Sequence, residues 1–362
     1  MKAAILRNYG EPLELVDLDL APPQAGEVLV SIRSTGVCHS DLSVVRGKLP
    51  YPLPCVLGHE AAGVVEEVGP GVTAVQPGDH VVVMWTPMCG ECYWCQRGQP
   101  YLCPEGQVLG MMDDGTTRLS HEGQTVFHGI NAATFAERAV FRENSVVKID
   151  KDIPMDVASV VGCGVLTGVG AAIHTAKVQP GDSVAVLGCG GVGINVIQGA
   201  VLAGAERVIA IDALDSKLEM ATRFGATHTV NAKETDTKTA VFELTDGRGA
   251  DVAFEVVGAA ALQRQVLELT RRGGTTVFVG VAPFGEDFTV QSFFLTYNET
   301  RLLGCWYGSC DPKRDIPRFL RLWQAGRLNL EDLISDRAGL DDVNAAFEAM
   351  EAGKVIRTVL TP

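Results

Sequence analysis

The sequence predicts an α/β fold, a doubly wound parallel sheet inserted into a longer, discontinuous second domain. Three features predict it. Compact apolar runs alternate with helical segments, the first run leads straight into a glycine-rich turn, and the alternation occupies the middle of the chain. The 362 residues leave room for two domains with substantial cores.

The first strand is Ser183-Val-Ala-Val-Leu, apolar throughout, as a strand covered on both faces must be. Gly188-Cys-Gly190-Gly191-Val192-Gly193 follows, then an apolar helix through Ala205. A second strand from Arg207 to Ile211 ends at Asp212, 19 residues past Gly193. A GxGxxG alone is weak evidence. With a strand before it, a helix after it and an acid at this distance, it makes a dinucleotide-binding fingerprint. Gly188 permits the tight turn, Gly190 lets the backbone approach a pyrophosphate, and Gly193 lets the helix pack closely on the strand. The helix N-terminus adds a positive field. Asp212 suits the adenosine ribose hydroxyls and repels a 2′-phosphate, while Ala213 stands where a phosphate-binding arginine would sit. NAD is therefore expected over NADP. Further strands are read at residues 251–257 and 275–281, and helices at 217–224 and 260–270.

Cys89, Cys92, Cys95 and Cys103 lie in CGECYWCQRGQPYLC with two, two and seven residues between them. Four thiolates on one short loop can close a tetrahedron around Zn²⁺, whereas neighbours this close can rarely all satisfy disulfide geometry. Such a site is closed, so it holds structure and does no chemistry.

Composition excludes other classes. A net charge of −14 argues against nucleic acid or an anionic membrane as partner. The start, MKAAILRNYGEP, has neither an apolar core nor a cleavage-like site, and ten cysteines without secretion signals suit metal binding in a reducing compartment. A cytoplasmic location is expected. Two uncharged stretches, residues 157–176 and 183–205, are long enough to span a membrane, yet both are glycine-rich and the second divides into strand, turn and helix.

Upstream of the sheet lie Gly36-Val-Cys38-His39-Ser40-Asp41 and Gly58-His59-Glu60-Ala-Ala-Gly63, and just before it Gly162-Cys163-Gly164. Cys38, His59 and Cys163 would make a Cys₂His zinc site with one open position. Sequence spacing alone does not gather three residues so far apart, and each taken singly reads more readily as core.

At these residues the chain resembles the zinc-dependent medium-chain alcohol dehydrogenases. The GHE motif with Gly63, Gly69 and Val72, the four-Cys lobe, the GCG segment, the GxGxxG turn and Ile356-Arg357-Thr358 occur in family order over essentially the whole chain. Residues 106–135 look most like the liver and glutathione-dependent branches. The resemblance implies a Rossmann sheet at 165–306, inserted into a β-rich, GroES-like catalytic domain at 1–164 and 307–362. It implies two zinc ions per subunit and Cys38, His59 and Cys163 as catalytic ligands. Glu60 would be a transient ligand behind them and Asp41 the acid that orients His59. Ser40 would receive the substrate proton. His39 and Arg357 would meet the pyrophosphate, Thr167, Val279 and Val281 the nicotinamide half, and Lys217 the adenosine ribose. The relay histidine of many relatives is Ser43 here, and a hydroxyl can pass a proton but cannot store one near neutral pH.

The activity so implied is reversible oxidation of primary aliphatic or aromatic alcohols with NAD. Leu49, Trp85, Val108, Ile130, Val281 and Trp306 would form the apolar pocket. The stretch Lys48-Leu-Pro-Tyr-Pro-Leu lacks the acid usual in the glutathione-dependent branch. Alternatives are a nicotinoprotein with permanently bound NAD, a glutathione-dependent formaldehyde dehydrogenase, and more remotely a non-enzymatic nucleotide-binding protein. A homodimer through an edge strand near residues 301–307 is expected, with a tetramer as the variant.

Overall fold

The computed structural model describes residues 1–104 and 109–362. It divides into two compact units, Met1–Gly164 with Asp311–Pro362, and Val165–Cys310.

The second unit is built on a parallel sheet ordered His228–Asn231, Arg207–Asp212, Ser183–Leu187, Ala250–Glu255, Thr270–Phe278, Arg301–Gly304. Strands are added outward on both sides of Ser183–Leu187, so the order switches beside that strand. In such sheets ligands bind at the strand C-termini at this point. Every residue of Ser183–Leu187 is buried. The helix Gly191–Ala203 stops at Gly204, whose φ of 88° ends it two residues before the expected Ala205. Helix Asp215–Arg223 begins two residues earlier than read, and Ala260–Leu267 ends three earlier, because Thr270 already opens the next strand. That strand closes at Phe278, leaving Val279 and Val281 beyond it. Strand His228–Asn231 and helix Thr237–Leu244 were not legible in sequence. The strand buries only Val230, so its apolar pattern is too thin to read, although Asp236 caps the helix by accepting from the Thr239 N–H at 2.8 Å.

This unit runs to Cys310 rather than ending at Trp306. The turn Tyr307–Ser309 stays attached to it: Ser309 Oγ pairs with Thr175 Oγ1 at 2.8 Å, and Cys310 Sγ lies 3.3 Å from the Leu166 carbonyl.

The first unit is β-rich. Its long strand Glu27–Gly36 pairs antiparallel with Glu60–Val68, Arg138–Arg142 and Arg357–Thr361. Gly36 faces Glu60 across the ladder and Arg357 opens the neighbouring strand, while Cys38 follows two residues on. Three candidate site residues thus share one end of one sheet. A second sheet, ordered Glu14–Asp17, Lys2–Leu6, Cys55–Val56, Gln124–His128, Leu119–His121, Asp19–Leu20, packs its apolar face into a core with Val44, Leu57 and Phe135.

One helical run, Met155–Ala176, is long and apolar enough to cross a membrane by length and composition, and 83% of its most apolar window is buried. It contains a wide π-type turn at Val161–Val165, a feature that concentrates at functional sites, and Cys163 stands in it.

Candidate active site and metal centres

Cys38 precedes the helix His39–Val45, His59 sits between the strands Cys55–Val56 and Glu60–Val68, and Cys163 lies in the π-type turn. The ligand atoms of Cys38, His59, Glu60 and Cys163 all fall within 4.8 Å of one another, and all four residues are buried. Gly164 is required by this packing, since a Cβ there would come 2.6 Å from Arg357 Nη2. Gly162 likewise makes room for the Val83 carbonyl at 2.7 Å.

Asp41 is fully buried behind the cluster. Its Oδ1 accepts from the Gly58 N–H at 2.9 Å and lies 3.1 Å from His59 Nδ1. Nδ1 is thereby committed, which leaves Nε2 as the ligating nitrogen and fixes the ring. Among the described residues the Glu60 carboxylate oxygens have no hydrogen-bond partner, and Arg357 Nη1 stands 3.3 Å from Oε1, at ion-pair distance but outside hydrogen-bond geometry. Burial pushes the Glu60 carboxyl up to about 8, against the pull of Arg357. A hydrogen bond from the Cys163 thiol holds the Cys38 sulfur well below the usual thiol range despite burial, with His59 and Arg357 assisting. A buried acid without hydrogen bonds, two thiols and an oriented imidazole are a poor core and a good cation site.

The second cluster is Cys89, Cys92, Cys95 and Cys103, again with sulfurs within 4.8 Å. The Cys92–Cys103 and Cys103–Cys89 sulfurs are 3.8 and 3.6 Å apart. A tetrahedron with metal–sulfur bonds of about 2.3 Å has edges of about 3.8 Å, whereas a disulfide is about 2.05 Å. The Cys92 N–H points at Cys89 Sγ (3.3 Å) and the Cys89 N–H at Cys103 Sγ (3.4 Å), as thiolate ligands require. Both donor sets fit zinc.

Of the relay candidates, Ser40 Oγ lies 3.8 Å from Cys38 Sγ. The Ser43 carbonyl receives the N–H groups of Lys48 (2.9 Å) and Leu49 (3.2 Å), so it anchors the following loop. His39 is exposed. Arg357 is buried, its Nη1 donating to the Val37 carbonyl at 2.9 Å, so it is a partner of the zinc pocket as well as a pyrophosphate candidate. The Trp85 ring stands edge-on to His59, centroids 6.4 Å apart. Val108 lies outside the described residues.

In the second unit the glycine turn is built as its sequence requires. Gly188 has φ 101°, and a Cβ on Gly193 would collide with the Gly188 carbonyl. Gly190 differs: its φ is −78°, and a Cβ there would meet no atom of the described residues within 4 Å. Neither dihedral nor packing demands glycine, so the open space is available to a ligand. Gly191 and Val192 open the helix beside it. The Asp212 carboxylate accepts from the N–H groups of Cys189 (2.8 Å), Ala213 (2.8 Å) and Leu214 (3.2 Å), which pins it at the strand end. Thr167 and Lys217 are half-buried. Val279 is buried and bonded to the Glu255 carbonyl at 2.9 Å, while Val281 is exposed. Tyr51 and Asn131 belong to no motif legible in the sequence. An Asn within Gly-Ile-Asn, a residue type that tolerates the left-handed region, was the available signal.

A buried Cys₂His pocket, a four-thiolate lobe and a dinucleotide turn define a zinc-binding dehydrogenase. Residues 24–151 match the model of the alcohol dehydrogenase GroES-like domain and residues 191–325 that of the zinc-binding dehydrogenase domain. Relatives named S-(hydroxymethyl)glutathione dehydrogenase, from Synechocystis sp. and an Escherichia coli strain, are 42% and 43% identical over 99% of both chains. Among solved structures, benzyl alcohol dehydrogenase from Acinetobacter calcoaceticus superposes with a TM-score of 0.94 at 35% identity, covering 99% of this chain and 98% of that one. An alcohol dehydrogenase zinc-binding domain protein from Burkholderia ambifaria gives 0.95 at 35%, with the same coverage. The chain belongs to the zinc-dependent medium-chain alcohol dehydrogenase family. It is an alcohol-type oxidoreductase of small molecules, zinc is its metal, and NAD is the cofactor expected for the family.

Proposed function

We propose that the chain oxidises primary aliphatic or aromatic alcohols to aldehydes, reversibly, with dissociable NAD⁺ as hydride acceptor. The observation that carries this reading is the convergence of Cys38, His59 and Cys163 in one buried pocket with His59 oriented by Asp41. Zinc there supplies Lewis acidity, which brings a hydroxyl pKa down toward neutrality. Ser40 Oγ takes the substrate hydroxyl proton and hands it toward solvent through hydroxyl groups, Ser43 among them. The apolar walls, Trp85 included, exclude water and orient the carbinol C–H. The Gly188–Gly193 turn and Asp212 would hold the dinucleotide, which would supply the hydride acceptor for the carbinol carbon. Glu60, with Arg357 Nη1 3.3 Å from its carboxylate, would be the transient ligand.

Ser40→Ala tests the relay: turnover should fall at least about 100-fold, the scale of general acid–base contributions, with zinc content and NADH affinity retained. Near-normal turnover would remove Ser40 from the mechanism.

A second reading, oxidation of the adduct of formaldehyde with glutathione, is favoured by the names of the relatives at 42–43% identity. The absence of an acid in residues 48–53 speaks against it. Formaldehyde-dependent NADH formation measured with and without glutathione, beside a primary alcohol series, separates the two. Cofactor retained through gel filtration would instead mark a nicotinoprotein. For assembly, the exposed Leu302 and Trp306 at the edge strand Arg301–Gly304 support a homodimer, which light scattering would test.

A further inference from the structure

The segment Gly129–Thr134 is strained. Ile130 has φ 47° and ψ 39°, Asn131 φ 56° and Ala133 φ 60°, so three non-glycine residues within four positions occupy the left-handed region. Each is disfavoured, the β-branched Ile130 most, and such outliers persist only where their surroundings over-determine them. What determines this one lies next to the zinc pocket. The Thr134 N–H donates to the Gly58 carbonyl at 3.0 Å and the Phe135 N–H to the Leu57 carbonyl at 2.9 Å, immediately before His59. Thr134 Oγ1 also pairs with Thr35 Oγ1 at 2.7 Å in the buried strand end.

The side chain of Asn131 makes a second tie. Its Oδ1 accepts from the Tyr51 hydroxyl at 2.9 Å and from the Gly110 N–H at 3.1 Å. Both donors belong to fixed segments. The Tyr51 backbone is clasped by Tyr9, whose hydroxyl receives the Tyr51 N–H (2.8 Å) and donates to its carbonyl (2.5 Å). Gly110, at φ 76°, leaves no room for a side chain between Phe127 and Pro52, each 3.1 Å from a Cβ placed there, and its carbonyl accepts from the His128 N–H at 3.0 Å. One amide oxygen therefore joins three pieces of chain: the loop after the Ser40–Ser43 helix, the segment at Leu109–Gly110, and Gly129–Thr134. Leu49, Tyr51, Leu53 and Ile130 pack on the same apolar core as Leu57.

We infer that Asn131 is a specificity-determining positioning residue, which latches the far walls of the alcohol pocket around Leu49 and Ile130 and so favours bulky apolar primary alcohols, benzylic or long-chain, over small ones. The inference rests on the alcohol dehydrogenase reading above, in which the family resemblance makes Leu49 and Ile130 pocket walls. Asn131 holds walls rather than reacting atoms, so losing it should cost binding of the large substrates and leave the chemical step alone.

Asn131→Gly tests the latch, because glycine keeps the left-handed backbone and removes the side chain whose Oδ1 makes both bonds. In the zinc-loaded enzyme, KM for benzyl alcohol and hexanol should rise at least about tenfold, equivalent to about 1.4 kcal/mol, with kcat, the ethanol kcat/KM and the NAD⁺ KM within about twofold. Asn131→Asp, which can accept both bonds, should restore the profile. Tyr51→Phe should reproduce the defect, and the Asn131→Gly/Tyr51→Phe double variant should add little to either. A profile parallel to wild type, a uniform loss across all alcohols, or no rescue by Asp overturns the inference. Wild-type protein that turns over no alcohol with NAD⁺ overturns the underlying reading instead.

Discussion

His128 shows how one buried side chain sets the acid limit of stability. It is buried in the first unit, its Nε2 receiving the Arg118 N–H at 3.4 Å, and the buried guanidinium groups of Arg118 and Arg142 face it. Burial, then repulsion from Arg142 and Arg118, pulls its pKa from 6.5 down to about 4. In the unfolded chain the imidazole takes a proton below about 6.5, but in the folded chain only near 4. Stability contributed by the neutral ring is therefore complete above pH 6.5 and lost as pH falls toward 4. At 1.36 kcal/mol per unit the whole effect is about 3 kcal/mol. His128→Gln removes this titration and leaves the acid-sensitive zinc thiolates in place. The gap in unfolding temperature between wild type and variant should shrink in the wild type's disfavour from pH 8 to pH 5; a constant gap would show that His128 does not govern acid stability. Arg118 itself is not spare, for it pairs with the buried Glu27 through two hydrogen bonds, at 2.8 and 2.5 Å, and removing one partner of such a pair typically costs about 3–5 kcal/mol.

Among elements, the four-Cys lobe depends most on what binds it. The helix Tyr93–Gln96 buries none of its residues, and Tyr93 is exposed, meeting Trp94 edge-on with the Arg97 cation over its ring. With so little apolar burial, zinc is the local core. Cys103→Ser should release one zinc per chain and make the lobe the first site of proteolytic cleavage, with Cys38, His59 and Cys163 still loaded; metal analysis and limited proteolysis check this. Unchanged zinc content would reassign the lobe. The lobe was legible because all its ligands are local in sequence, and the Gly188–Asp212 unit was legible for the same reason. The catalytic pocket was not. Cys38, His59 and Cys163 meet through the ladder register of Glu27–Gly36 with Glu60–Val68 and through a π-type turn, neither of which spacing encodes, so only the family resemblance joined them. Strand His228–Asn231 escaped because tertiary pairing beside Arg207–Asp212, not its own polar sequence, makes it a strand. Asn131 escaped because its meaning lies in two hydrogen bonds to distant segments.

At the scale of the whole molecule, the chemistry is partitioned by unit. The two proposed zinc clusters lie wholly within Met1–Gly164, and the dinucleotide turn, Asp212 and Lys217 lie wholly within Val165–Cys310. The carboxylate and glycine turn proposed to hold the adenosine half of the cofactor have a geometry that depends on parallel strands and not on zinc. Metal and nucleotide affinity should therefore separate. Chelator treatment that strips the Cys38–His59–Cys163 pocket should abolish alcohol turnover while NADH affinity, followed by fluorescence titration, changes by no more than about threefold, under about 0.7 kcal/mol. Because metal bound only to the native state stabilises it by mass action, the stripped protein should also unfold at lower temperature, and readdition of Zn²⁺ should restore both turnover and unfolding temperature. If NADH affinity instead falls in step with zinc content, the metal pocket and the nucleotide turn are not independent, and the separation proposed here is wrong.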